Sequence, residues 1–176
     1  NSEHVFDFSI LTSKLYSVSD SQSHLFSESF YDLNLDNFDS SEISLQIQQT
    51  SNDYYLKTYL PKSPLIKTQS SLHNKFKFEA INDDTEIEIT TEVYEDLSVK
   101  KDSDKYTYVY PSFDIEKELE NDFGFQGNFI LSTEGYQKKY NTNSYDGVLI
   151  NDLLYKNSYF DKKGIKRDLN FLIKNV

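Results

Sequence analysis

Cysteine is absent from the 176 residues, which excludes disulfide staples, thiol catalysis and cysteine-based metal sites. An oxidising compartment stays open, because many proteins there need no disulfides. Tryptophan is absent too, glycine occurs five times, and alanine and arginine once each, as Ala80 and Arg167. Asn, Lys, Ile, Ser and Asp are plentiful, the bias of an AT-rich coding sequence, so these gaps carry little structural meaning. No run approaches the ~20 apolar residues that a membrane helix needs. If this chain crosses a membrane, it does so as strands. No signal peptide is visible. The chain begins without Met and ends on Asn175-Val176 inside a strand-like pattern, so the expectation is an excerpt of a longer protein.

Positive charge is also short. Eighteen Lys and Arg stand against 29 Asp and Glu, for a formal net charge of -11. Such a chain is a poor nucleic-acid binder, because neutralising phosphates takes clustered Lys and Arg. It is not a disordered acidic chain either, since those lack aromatics and this one has 14 Tyr and 13 Phe. Tyr and Phe favour pleated, half-buried surfaces. The length suits one domain.

The dominant signal is period-two alternation, which puts every second side chain on one face. Ile43, Leu45 and Ile47 alternate with Ser44, Gln46 and Gln48; Leu72, Phe76, Phe78 and Ala80 with His73, Lys75, Lys77 and Glu79. Ile87, Ile89 and Val93 oppose Glu86, Glu88 and Glu92. Phe125, Phe129 and Leu131 oppose Gln126, Asn128, Ser132 and Glu134. Ile165, Leu169, Phe171 and Ile173 oppose Lys166, Asp168, Asn170 and Lys174. Each pattern means one apolar and one wet face.

Other segments alternate less cleanly. Phe6, Phe8 and Ile10 share a face, with Val5 and Leu11 on the other; 24–35 and 146–159 are apolar on both. Tyr106, Tyr108 and Tyr110 share a face, then Phe113 and Ile115 take the opposite one. Pro111 sits at the switch and cannot donate to a ladder, so an edge or bulge is expected there. Helical spacing finds little support. Only 113–123 could pass as a short helix, and strand is the preferred reading.

Polar breaks rich in Asn, Asp, Ser and Gly fall near 18–23, 36–41, 60–69, 81–84, 96–105, 118–123, 137–145 and 160–164. These residue types close turns. The expectation is all-β: about nine consecutive strands in one antiparallel up-and-down meander, residues 1–176 forming a single incomplete β-barrel segment with no second domain. From 81–84 onward the breaks alternate short and long, the asymmetry of outer-membrane barrels, whose short turns and long loops lie on opposite sides. The longer breaks would then be extracellular, with Lys100, Lys101, Lys138 and Lys139 near the outer leaflet.

No motif carries chemistry. His4, His24 and His73 are dispersed, and solvated strand positions are the preferred reading. Asp83-Asp84 and the acids of 32–39 offer oxygen ligands, but no spacing matches a calcium loop and turn chemistry explains them. The Glu86, Glu88, Glu92 stripe reads as a wet face rather than a glycosidase carboxylate pair. Lys162, Lys163, Lys166 and Arg167 form the one basic cluster, with a solvated turn preferred over lipid phosphate. No nucleophile elbow, phosphate loop or Ser-His-Asp pattern is present. The reading is a non-enzyme with no cofactor and no metal.

Three runs resemble the lipopolysaccharide-assembly outer-membrane protein family (LptD, alphaproteobacterial type). They are SNDYYLKTYLPKSPL (Ser51 to Leu65), TEVYEDLSVKKDSDKYTYVYPSFDI (Thr91 to Ile115) and GNFILSTEGYQKKYNTNSYDGVLIND (Gly127 to Asp152). Tyr110 departs from the family pattern, where Leu is commoner. The resemblance implies a central segment of a large transmembrane β-barrel in the cell outer membrane that carries lipopolysaccharide to the outer leaflet. It implies three kinds of partner besides lipopolysaccharide: a lumen lipoprotein (LptE-like), a periplasmic bridge protein (LptA-like) and outer-membrane lipids. On the barrel reading Ile87, Ile89, Phe125, Phe129, Leu131, Leu169, Phe171 and Ile173 face lipid. Glu86, Glu88, Gln126, Asn128, Asp168 and Asn170 face the lumen. The alternatives are another outer-membrane barrel, porin or receptor, and a soluble secreted β-sandwich binding module.

Overall fold

The computed structural model describes residues 1–15, 18–99, 102–119 and 127–176, and their side chains except at 13–15, 18–21, 102 and 103. The fold is all-β. Nine strands form one antiparallel sheet in sequence order: β1 Ser2–Leu15, β2 Val18–Asp32, β3 Ser40–Thr50, β4 Ser71–Ile81, β5 Thr85–Asp96, β6 Tyr106–Leu119, β7 Asn128–Tyr140, β8 Tyr145–Phe160 and β9 Lys166–Asn175. The sheet is open, and β1 and β9 are its edges. Two short helices interrupt the meander, α1 Tyr55–Tyr59 between β3 and β4, and α2 Asp102–Lys105 before β6. No helix of the described residues is long and apolar enough to cross a membrane.

Neighbouring strands in a meander pair with sequence neighbours, so successive connections lie at opposite ends. The connections 51–70, 97–105 and 141–144 share one end, here the upper; 33–39, 82–84 and 161–165 share the lower. The expected short-and-long alternation is not upheld. The upper connection 141–144 is as tight as the lower 161–165. The reason lies in Gln137, Lys138 and Lys139, which read as loop but continue the ladder. Lys138 stands opposite Asp146, and Lys139 opposite Tyr145. An opposite-charge pair across a ladder is favourable, and Lys139 Nζ lies 5.7 Å from the Tyr145 ring centroid. The expected break at 18–23 is likewise corrected, because β2 begins at Val18. Lys100 and Lys101, Phe125 and Gln126 lie outside the described residues.

A bulge sits at Pro111. Ser112 pairs with Thr90 and Tyr136, while Val109 pairs with Glu92 and Lys138, so β6 carries one residue more than either neighbour. The extra residue resets side-chain parity. Phe113 and Ile115 therefore share a face with Tyr106 and Tyr108, not the opposite face that simple alternation gives. Gly135 stands opposite Phe113 and makes room for its ring: a Cβ there would lie 2.8 Å from Phe113 Cζ and 3.0 Å from the Val148 carbonyl oxygen.

Most of the sheet has no layer against it. The buried cluster of Phe26, Tyr55, Leu56, Leu72 and Leu97 sits at the upper end, with Leu65 and Ile66 packed on it. Burying side chains of this size stabilises by about 1.5–3 kcal/mol each. The cluster exists because the 51–70 connection folds back over the sheet rather than projecting from it.

Candidate functional site

Cross-strand register assigns each side chain to a face, because directly opposed residues point the same way. One face, the apolar one, carries Phe6 and Phe8 on β1, Leu45 and Ile47 on β3, Phe76 and Phe78 on β4, and Ile87 and Ile89 on β5. It continues through Phe113 and Ile115, Phe129 and Leu131, Leu149 and Leu153, and Leu169, Phe171 and Ile173 on β9. Of the eight apolar residues singled out in the sequence, the seven described ones share this face.

Charge is almost excluded from that face. Among the described side chains its charged residues are Glu95, Lys117, Lys139 and Arg167, each within two residues of a strand end. His4 stands near the lower end of β1. Between these limits the polar residues are uncharged, such as Thr91, Thr133 and Asn151, the last two hydrogen-bonded at 3.1 Å. Along β5 the charge-free stretch runs from Thr85 to Val93, about nine residues or ~30 Å. A transmembrane strand takes about 9–11 residues. Aromatic rings mark both limits. Tyr106, Tyr108 and Tyr145 stand at the upper end; Tyr31, Phe129, Tyr155 and Tyr159 stand toward the lower. Phe129 and Tyr155 pair at 4.9 Å between centroids.

The opposite face is polar and mainly acidic. Glu86 and Glu88 of β5, Asn128 of β7, and Asp168 and Asn170 of β9 all lie on it. So do Glu28, Glu42, Glu79, Asp114, Glu116 and Glu134. Basic groups are threaded among the acids: Lys77 lies 2.5 Å from Glu79 and 2.8 Å from Glu88, Lys75 3.2 Å from Glu92, and Lys174 3.3 Å from Asp152. His73 stacks on Tyr94 at 4.3 Å, with Nε2 3.4 Å from Glu92.

His24 departs from the solvated position expected of it. It is 5% exposed. Its Nδ1 lies 2.9 Å from the Tyr55 hydroxyl and its Nε2 3.2 Å from Asp7 Oδ1, with the ring stacked on Phe26. Sequence reasoning missed this group, because its partner sits on a five-residue helix inside a segment that reads as a plain break. The tandem aromatic and leucine of Tyr54-Tyr55-Leu56 was the available signal.

The turns are held by local Asn and Asp side chains. Asn82 accepts from the backbone N–H of Asp84 and Thr85 at 3.1 and 2.7 Å. Asp161 accepts from the Lys163 and Ile165 N–H groups at 2.8 and 3.0 Å and from the Arg167 guanidinium at 3.2 Å. Backbone donation by Ile165 and Lys163, then Arg167, holds the Asp161 carboxyl below its ordinary range. Arg167 and Lys166 thus have carboxylate partners, in Asp161 and Asp168. In α2 the Lys105 ammonium is held well above the ordinary lysine range by hydrogen bonds to Asp53 and then Glu95.

No three His, Asp or Glu residues among those described are gathered to hold a metal ion. The depressions on the sheet are shallow and open. One apolar depression is lined by Leu45, Ile47, Phe76, Val93 and Tyr110 beside the bulge. The arrangement offers two long surfaces of opposite character. No protein-family model, curated protein or solved structure matches this chain.

Proposed function

We propose that this sheet is part of the wall of a large outer-membrane β-barrel, with the apolar face against lipid and the acidic face lining a wet lumen. The observation that carries this reading is the charge-free band: ionised side chains on the apolar face are confined to strand ends, while the other face is crowded with them. A charged side chain at bilayer mid-depth costs about 2–4 kcal/mol on a barrel's outer face, whereas a water-filled lumen tolerates rows of Glu and Lys. Tyrosines at both limits match the aromatic girdles of such barrels. Backbone groups at β1 and β9 need further strands in lipid, which a complete barrel supplies. On this reading Ile87, Ile89, Phe129, Leu131, Leu169, Phe171 and Ile173 meet lipid. Glu86, Glu88, Asn128, Asp168 and Asn170 meet the lumen.

The cargo is lipopolysaccharide on its way to the outer leaflet, with a lumen lipoprotein and a periplasmic bridge protein as partners. This part rests on the sequence resemblance of 51–65, 91–115 and 127–152. The test is photo-crosslinking in living Gram-negative cells that make the full gene product. A photoreactive side chain at Ile89 or Leu131 gives lipid adducts, and one at Glu88 or Ser132 does not. Lipopolysaccharide or a lipoprotein captured by this protein, and not by an unrelated porin treated alike, supports the cargo and partner. Equal lipid capture from both faces contradicts the wall itself.

A further inference from the structure

The connection 51–70 does not project beyond the sheet but lies down on its acidic face. Four residues of that face, on three adjacent strands, receive it. Asp7 of β1 lies beside Ser63 of the connection and 3.2 Å from His24 Nε2. His24 of β2 meets the Tyr55 hydroxyl at 2.9 Å. Phe26 of β2 is wholly buried beneath Tyr55 and Leu56. Gln48 of β3 donates through Nε2 to the Leu65 carbonyl at 2.7 Å, and its Oε1 accepts from the His73 N–H at 2.9 Å. The segment is also tied at its start, where Asn52 donates to Gln22 and Lys105 donates to Asp53 at 2.8 Å.

This packing has a cost that a free surface loop avoids. Phe26 stands among Asp7, Glu28 and Gln48, on a face where a bare aromatic gains nothing from lipid. Its burial needs a cover from the same side, and α1 provides one. Loops that lie over the lumen face of a barrel narrow it.

We propose that residues 51–70 form a fixed strap across the lumen face that constricts the upper mouth of the barrel, with Tyr55 and Leu56 as its pins. This rests on the barrel reading above. The strap sets the largest hydrophilic solute that passes, and its undersurface is apolar while its outer surface presents Tyr54, Lys57 and Tyr59 to the passage. The strap also reaches the upper strand ends of the apolar face, where Leu72 packs in its cluster and Lys105 joins Asp53 to Glu95.

The experiment compares the full gene product with two variants in planar bilayers and in cells. One is the double substitution Tyr55→Ala, Leu56→Ala; the other replaces residues 53–66 with a short Gly-Ser linker. Ile89→Val on the apolar face serves as the control. Single-channel conductance rises at least two-fold in both strap variants, and cells become sensitive to a large glycopeptide antibiotic that an intact outer membrane excludes. The control matches the parent. Parent-like conductance in correctly inserted strap variants, judged by heat-modifiable migration, overturns the strap and leaves the barrel standing. Failure of the parent itself to insert in a membrane overturns the barrel reading, and the strap with it.

Discussion

Glu79 and Glu88 stand directly opposite each other on β4 and β5, and the single ammonium of Lys77 lies 2.5 Å from one carboxylate and 2.8 Å from the other. Like charges in directly opposed positions repel, so Lys77 is what makes the pair tolerable. All three side chains are partly exposed, which limits the effect by solvent screening. Lys77→Met is expected to destabilise the sheet by about 1 kcal/mol, read as a lower urea midpoint in detergent micelles. Adding Glu79→Gln is expected to recover most of the loss. An additive double variant, with no recovery, would mean that the three charges are independent.

Gly135→Ala tests the packing across the bulge. The added Cβ meets both the Phe113 ring and the Val148 carbonyl oxygen, and the backbone atom cannot swing aside as a ring can. Overpacking of this kind costs about 1–3 kcal/mol. Thermal or urea unfolding of the variant is expected to show that loss. A second variant, Gly135→Ala with Phe113→Leu, is expected to regain part of it. Wild-type stability in Gly135→Ala would place the Phe113 ring elsewhere.

The β8–β9 turn gives a pH signature. Asp161 is held below its ordinary range by the Ile165 and Lys163 amides and by Arg167. A carboxyl whose folded pKa is depressed contributes fully above its unfolded value, ~3.9, and loses the contribution as pH falls through the lower folded value. Carboxyl NMR is expected to give Asp161 a midpoint below that of a model aspartate. Amide exchange at Lys163 and Ile165 is expected to accelerate, relative to the intrinsic rate, only once the pH falls below that midpoint. Asp161→Ala removes the protection at every pH. A model-like midpoint with unchanged exchange would contradict the hydrogen bonding described.

Nine strands and their order were legible because alternation survives wherever one face is apolar and the other wet. That holds for β3, β4, β5, β7 and β9. The remainder blurred for particular reasons. Phe26 breaks the pattern of β2 because it serves the strap rather than its own face. Val148, Ile150 and Leu154 do the same on β8, and nothing in the structure explains them. The bulge at Pro111 was legible from proline's missing donor, but its consequence, the restored face of Phe113 and Ile115, follows only from the ladder. The strap was illegible. Five residues of helix are too few for a periodicity, and the partners of Tyr55 and Leu56 lie at Phe26 and Leu97, far away in sequence. The turn at 141–144 was overestimated because Lys138 looks like loop until Asp146 is found opposite.

The central claim is that alternate residues of one strand see lipid and water. A nitroxide scan along β5 tests it with least indirection, since no native cysteine in this chain competes for the label. Single cysteines from 85 to 95 are introduced into the full protein, labelled and reconstituted, and collision with oxygen and with a water-soluble nickel chelate is measured. Sites 87, 89, 91 and 93 are expected to be oxygen-rich and nickel-poor, because oxygen concentrates in acyl chains. Sites 86 and 88, beside the ion pairs of the acidic face, are expected to reverse that ratio. A ratio that does not alternate, or that alternates with Glu86 and Glu88 on the oxygen-rich side, would contradict the placement of this sheet in a membrane.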